Sequence, residues 1–340
     1  MPRIAYLGSA VPLDLERRML GELGRDDVEV YEVDSDNAGR PVRGSLPGAD
    51  ALVIEWGKAD ARTFEAAPRL RCVSMMAIGH DNIDDAAATA HGCWVTNVPD
   101  YCTYDVALHT LGLIVDLYKK ITWFDRQVRD GAWDDMAGYD APRPKGQTAG
   151  LVFFGSIAQA LTPMLKSIGM EVMAYAPTKS PAFLASHGVA KAESLEELLE
   201  KSDVVSLHCP LVDATRDIIC ARTLRLMKPT AFFVNTSCGG CVVEEDLAQA
   251  LTDGTIRAAA VDVKRDETNA KSPLVGLDNC IVTPHCAYHS SDSYTEMRTR
   301  ALRNALEALD GRKPADAVNE LSLAGEGAGG LRRRWSLAPE

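Results

Sequence analysis

The sequence predicts two doubly wound α/β domains, each built on a parallel sheet, and three observations predict them. Short apolar runs alternate with amphipathic stretches through the first hundred residues, the pattern of strands and helices taking turns. A second set of strand-like runs follows between residues 148 and 285. The length of 340 residues with 46% hydrophobic content suits two cores better than one.

In chain order, the first strands are predicted at residues 4–7, 28–33, 51–56, 71–77 and 93–97. A long helix comes next, with Val106, Leu108, Leu111, Ile114, Val115 and Leu117 at helical spacing, and then an aromatic segment at 123–133. Six further strands are predicted at 149–154, 171–175, 203–208, 231–235, 258–263 and 280–283. With helices between them they describe a Rossmann-type, nucleotide-binding domain. Residues 290–309 form an amphipathic helix that puts Ala301, Leu302, Ala305, Leu306 and Leu309 on one face. The stretch 321–340 is rich in glycine, carries Arg332-Arg333-Arg334-Trp335 and lacks periodicity, so it reads as a flexible tail.

A net charge of -12 argues against nucleic acid and anionic membrane surfaces as partners. No apolar run reaches the ~18 residues needed to span a bilayer, and the amino terminus enters a strand without a signal-peptide core, so a cytoplasmic location is expected. Nine cysteines, odd in number and scattered, read as reduced thiols and not as a disulfide framework.

Several motifs carry chemistry. Asn235-Thr236-Ser237-Cys238-Gly239-Gly240, Thr283-Pro284-His285 and His208-Cys209-Pro210-Leu211 resemble the D-isomer-specific 2-hydroxyacid dehydrogenases, whose patterns there are NTSRGG, TPH and H-x-P-L. The resemblance covers roughly residues 50 to 317. It implies a discontinuous, flavodoxin-like substrate domain at 1–101 and 290–320, a nucleotide-binding domain at 102–289, and a homodimer to which the segment after the long helix contributes. It also implies that His285 exchanges a proton with the substrate oxygen while Glu267, 29 residues after Cys238, supports the imidazolium. Thr110, Thr236 and Asp262 match cofactor-side positions, as do Cys209 and Pro210. The segment from Cys286 to Ser290 most resembles the C-terminal-binding-protein branch, which makes Tyr288 a pocket residue.

Against this pattern stand four departures. Cys238 occupies the position of the family's substrate-binding arginine, whose planar, permanently charged fork a thiol cannot replace. Three readings of Cys238 stay open: a small space-filler, a thiolate activated by His285, or a metal ligand with Cys241, Cys286 and His289. At the glycine-rich turn the three fingerprint positions read Phe153, Gly155 and Ala158, followed in the helix by Ser156 and Ile157 where the family places an arginine after the middle glycine. A phenylalanine there is expected to obstruct the phosphate path. The second strand of that domain ends Tyr175-Ala176-Pro177, so the ribose-binding acid is missing at Ala176, while Thr178 and Lys179 suit a 2′-phosphate. Substrate capture departs as well, because the family's G-x-G loop reads Ala77-Ile78-Gly79.

The expectation drawn from these losses is an enzyme turned to redox-neutral acid/base chemistry of the hydrolase, dehydratase or cyclase type. It would act on a small molecule with His285 and Glu267, need neither NAD nor NADP, and carry no metal. An NAD(P)-dependent 2-hydroxyacid dehydrogenase is the alternative, and a non-catalytic nucleotide-binding protein a further one.

Overall fold

The computed structural model describes residues 1–321 apart from Arg43 and Ala141, so the expected tail falls outside the described residues beyond position 321. The described residues fall into two compact units, one made of residues 1–101 and 291–321 and the other of Cys102–Ser290.

The first unit contains β1 (Arg3–Leu7), α1 (Asp14–Glu22), β2 (Glu29–Val33), β3 (Ala51–Ile54), α2 (Ala61–Ala66), β4 (Cys72–Met75), α3 (Asp85–His91) and β5 (Trp94–Thr96). Its sheet has the order β2-β1-β3-β4-β5 with every pairing parallel, which is the flavodoxin-like arrangement. β3 and β4 are buried at every residue, as strands covered on both faces must be, and this is why they read as continuous apolar runs. Side chains set the helix starts: Asp60 caps α2, and Asp84 accepts the Ala87 N–H at 2.9 Å at the start of α3, which ends on left-handed Gly92.

The second unit opens with α4 (Thr103–Lys119) and α5 (Ile121–Arg129). It continues through β6 (Thr148–Val152), α6 (Ser156–Ser167), β7 (Glu171–Tyr175), α7 (Pro181–Ser186), β8 (Ala190–Lys191), α8 (Leu195–Lys201), β9 (Val204–Leu207) and α9 (Ala221–Leu224). β10 (Phe232–Asn235), a 3-10 turn Gly239–Cys241, α10 (Glu244–Thr252), β11 (Ala258–Val261) and β12 (Cys280–Val282) complete it. The sheet order is β12-β11-β10-β9-β6-β7-β8, again parallel throughout, and is that of a Rossmann domain extended by one strand. Six strands were expected, and the seventh is β8, two partly exposed edge residues too short to show an apolar run. Alternation along β10 feeds both faces: Phe232 and Val234 enter one apolar cluster and Phe233 the other. Gly150 in β6 must lack a side chain, since a Cβ there would lie 2.0 Å from the Ser202 hydroxyl and 2.8 Å from Leu198.

The last helix, α11 (Ser291–Leu309), belongs to the first unit and packs on β3 and β4. Its buried face includes Met297, Ala301, Leu302, Ala305 and Leu306. Glu16 of α1 and Arg298 of α11 form a buried ion pair with contacts of 2.5 and 2.8 Å, and the same guanidinium donates to the Pro12 carbonyl. Among the described residues no helix is long and apolar enough to cross a membrane.

Candidate active site

In a parallel sheet all strands deliver their carboxyl ends to one edge, so the loops after β6, β7, β9, β10, β11 and β12 gather there. The turn from β6 into α6 comes first. Phe153 adopts φ +72°, the left-handed region that glycine enters freely and that costs other residues about 1–2 kcal/mol. Its N–H donates to the Tyr175 carbonyl at 2.8 Å, and its ring meets the Tyr175 ring edge-on at 6.5 Å while resting on the apolar cluster beneath. Phenylalanine therefore keeps the backbone shape of the glycine it replaces and commits its ring to packing. Beyond it, a Cβ built on Gly155 would meet nothing within 4 Å. No side chain caps α6, and its first backbone bond runs from the Gln159 N–H to the Gly155 carbonyl at 3.0 Å. Among the described residues, the N–H groups of Ser156, Ile157 and Ala158 accordingly have no protein acceptor. A 12-residue helix ending in open space with unused amides is suited to a pyrophosphate, through both hydrogen bonding and the helix dipole. The Phe153 ring, expected to obstruct the phosphate path, rests partly buried against Tyr175.

At the end of β7, Ala176 is buried and Pro177 and Thr178 are exposed. The Lys179 N–H turns back to the Ala176 carbonyl at 3.0 Å, and its ammonium lies 5.1 Å over the Phe183 ring. No carboxylate stands between residues 175 and 180.

The loop after β10 is shaped by its own side chains. Asn235 accepts from both the amide and the hydroxyl of Ser237 at 3.0 Å and donates to the Cys238 carbonyl at 2.9 Å, folding the loop into an Asx turn. The Thr236 hydroxyl contacts that of Thr110 at 2.8 Å, which ties the loop to α4. Gly239 lies so close to Lys264 that a Cβ would fall 2.1 Å from its carbonyl carbon, so this glycine brings the loops after β10 and β11 together.

Asp262, following β11, is the hub of the neighbouring network. Its carboxylate accepts from the Thr283 hydroxyl at 2.5 Å and from the backbone amides of Cys286 at 3.0 Å and Ala287 at 2.8 Å. His109 on α4 stands 3.3 Å from Thr283 and 3.8 Å from the Asp262 carboxylate. Sequence reasoning passed over His109, whose role depends on α4 lying beside β11. After β12, His285 takes φ +52° and donates its backbone N–H to the Asp262 carbonyl at 2.8 Å. Its Nδ1 lies 2.7 Å from the Glu267 carboxylate, and its ring stands edge-on to Tyr288 at 6.2 Å. The hydrogen bond to Glu267 raises the imidazole above its ordinary pKa, against the opposing effect of burial. Burial pushes the Glu267 carboxyl up, but the bond and charge of His285 outweigh it and leave the group below the usual carboxylate range. The pair is poised to hold a proton near neutral pH on the imidazole.

The metal-ligand reading fails on placement. Among the described residues, Cys238, Cys241, Cys286 and His289 do not gather into one cluster; the grouping that does form is His109, Asp262 and Cys286, and its carboxylate is already occupied by the three donors above. In the first unit, the Ala77-Ile78-Gly79 loop is pinned by the Asn97 amide donating to the Ile78 carbonyl at 2.7 Å and by the Val98 N–H donating to the Ala77 carbonyl at 3.0 Å.

Comparison with known proteins places this geometry. A family model described as D-isomer specific 2-hydroxyacid dehydrogenase, NAD binding domain, matches residues 111–287. A glyoxylate reductase of Korarchaeum cryptofilum is 37% identical over 279 residues, 80% of this chain and 83% of that protein. A D-3-phosphoglycerate dehydrogenase of Mycobacterium bovis is 34% identical over 86% of this chain, which spans 55% of that longer relative. Among solved structures, the NADPH-dependent glyoxylate/hydroxypyruvate reductase of Sinorhizobium meliloti, in complex with NADP and malonate, matches with a TM-score of 0.80 at 26% identity, covering 93% of this chain and 96% of that one. These names overturn two expectations. Redox-neutral hydrolase, dehydratase or cyclase chemistry is replaced by that of a dehydrogenase or reductase, and a site needing no cofactor is replaced by one for a nicotinamide nucleotide. The physical reason is shared: the changes at positions 153 and 156 leave the backbone amides at the start of α6 in place.

Proposed function

The chain belongs to the D-isomer-specific 2-hydroxyacid dehydrogenase family of enzymes, and we propose that it is a nicotinamide-dependent reductase of small 2-oxo acids, with glyoxylate and hydroxypyruvate as the first substrates to try. The observation that carries the reading is the His285–Glu267 contact at 2.7 Å on the same sheet edge as the open amino terminus of α6. When bound, the nucleotide supplies the hydride. His285, with Nδ1 held by Glu267, gives a proton from Nε2 to the carbonyl oxygen, and the raised pKa keeps the imidazolium populated for that step.

On the cofactor side, the amides of Ser156 and Ile157 beyond Gly155 are proposed to take the pyrophosphate, with Phe153 forming the turn. Thr110, Thr236 and Asp262, together with Cys209 and Pro210, are proposed to line the nicotinamide end. The missing acid at Ala176 and the nearby Lys179 favour NADPH over NADH. In the first unit, the Ile78 and Gly79 amides of the Ala77–Gly79 segment are proposed as carboxylate donors. Tyr288, beside His285, supports the C-terminal-binding-protein-like placement and a pocket for a flatter substrate. A homodimer through α5 is part of the reading, since α5 buries none of its residues and leaves Ile121 and Val128 exposed, with Trp133 91% exposed just beyond it.

The test is titration of the purified protein with NADPH and NADH by nicotinamide fluorescence, followed by NADPH oxidation with each 2-oxo acid. Micromolar NADPH binding, weaker NADH binding and turnover of at least one acid are expected. No binding of either nucleotide at millimolar concentration would sink the proposal.

A further inference from the structure

Two thiols whose sulfurs take no chemical part in the proposed reduction, Cys209 and Cys241, lie against each other at the carboxyl edge of the second sheet. Cys209 follows β9 and Cys241 ends the 3-10 turn after β10, and although 32 residues separate them their sulfurs are 3.7 Å apart. Both are buried, at 2% and 0% exposure, yet Cys209 is followed directly by exposed Pro210. The contact divides the two groups electrically. Hydrogen bonding to Cys241 lowers the Cys209 thiol below its ordinary pKa, and the same bond raises Cys241 to about 11. The contact thus favours ionisation of Cys209 over that of Cys241. By contrast, Cys280 lies in apolar surroundings that raise its thiol to about 12.

The position of Cys241 is well fixed. Its N–H donates to the Cys238 carbonyl at 3.3 Å, and its own carbonyl accepts from Ile219 at 3.0 Å. Cys209 stands at the start of an irregular stretch in which Val212 is 49% exposed. An S–S bond of about 2.05 Å requires closure by less than 2 Å from the observed contact.

We propose that Cys209 and Cys241 form an oxidation site, closing to a disulfide when the protein meets a hydroperoxide. Cys209, on losing its proton, attacks the terminal peroxide oxygen through sulfur, the O–O bond breaks, and the departing alkoxide (or hydroxide, from hydrogen peroxide) takes up that proton as an alcohol or water, with a sulfenic acid formed on Cys209. Cys241 then attacks that sulfur through its own, its S–H proton leaves with the departing hydroxide as water, and the disulfide forms. Two thiols are oxidised and one peroxide is reduced. A dithiol such as dithiothreitol returns both thiols.

The experiment exposes the full-length protein to graded hydrogen peroxide, blocks remaining thiols with N-ethylmaleimide and maps tryptic peptides by mass spectrometry. The expected product is the peptide containing Cys209 joined to that containing Cys238 and Cys241, lighter by two hydrogens and released by dithiothreitol. Because two cysteines share the second peptide, Cys238→Ala and Cys241→Val are treated in parallel. The link should persist in the first and disappear in the second. Persistence in Cys241→Val would assign the bond to Cys238 and overturn the proposal. So would wild-type protein in which Cys209 and Cys241 remain separately alkylated after peroxide has fully oxidised Cys238, a result that requires no variant to fold.

Discussion

The turn after β6 and the loops after β10 to β12 sit on one sheet edge and have met sequence change in opposite ways. The turn presents main-chain amides at a helix start, and it keeps its form with phenylalanine at a glycine position because Phe153 accepts a left-handed backbone and packs its partly buried ring against Tyr175. The loops present side chains, so the Cys238 thiol cannot reproduce a guanidinium at that position, whereas Glu267 and His285 remain in contact. Backbone-built sites survive substitution that side-chain-built sites do not.

That contrast can be broken most severely at His285. His285→Ala should lower kcat/KM for 2-oxo acid reduction by about 10²–10⁴, the usual worth of a general acid, while NADPH affinity measured by fluorescence stays unchanged. Ser156→Glu places a carboxylate among the unused amides of α6. It should weaken NADPH by roughly a hundredfold while leaving the melting temperature the same or slightly higher, because the same charge favours the helix and opposes pyrophosphate. A mere loss of folding would show as a fall in both. Cys238→Arg should lower KM for glyoxylate by about ten- to a hundredfold, matching a charge-assisted bond of roughly 1.5–3 kcal/mol, and no change would mean the carboxylate binds elsewhere. For Glu267→Gln the readout is the pH profile. Reduction uses the imidazolium, so activity is present below the His285 pKa and is lost as pH rises through it. Since Glu267 raises that pKa, the variant should lose activity at lower pH than the parent. The smallest effect belongs to Phe153→Gly: with the ring packed aside, NADPH Kd should move by no more than about threefold, and a large tightening would restore the obstruction.

Much of this architecture was readable because parallel strands covered on both sides leave apolar runs, as 51–54 and 232–235 do. β8 was not, since two half-buried edge residues leave no pattern. The neighbourhood of Glu267 and His285 could be inferred from motif and spacing, but its 2.7 Å geometry could not. The conformation of Phe153 was not readable either: a residue's identity gives its size, and neither its φ nor the direction of its ring. Contacts such as Cys209 with Cys241, or His109 with Thr283, join residues 32 and 174 positions apart and become visible only once the sheet is assembled.

The Glu16–Arg298 pair also sets a timetable for biosynthesis. Arg298 leaves the ribosome 282 residues after Glu16, a delay of about 15 to 55 s at 5–20 residues per second. During that interval the nascent amino-terminal sheet lacks both the cation for its buried carboxylate and the helix that covers β3 and β4. The nucleotide-binding unit, contiguous in sequence, can finish first, leaving the earliest-made part of the chain to fold last and to depend longest on chaperones.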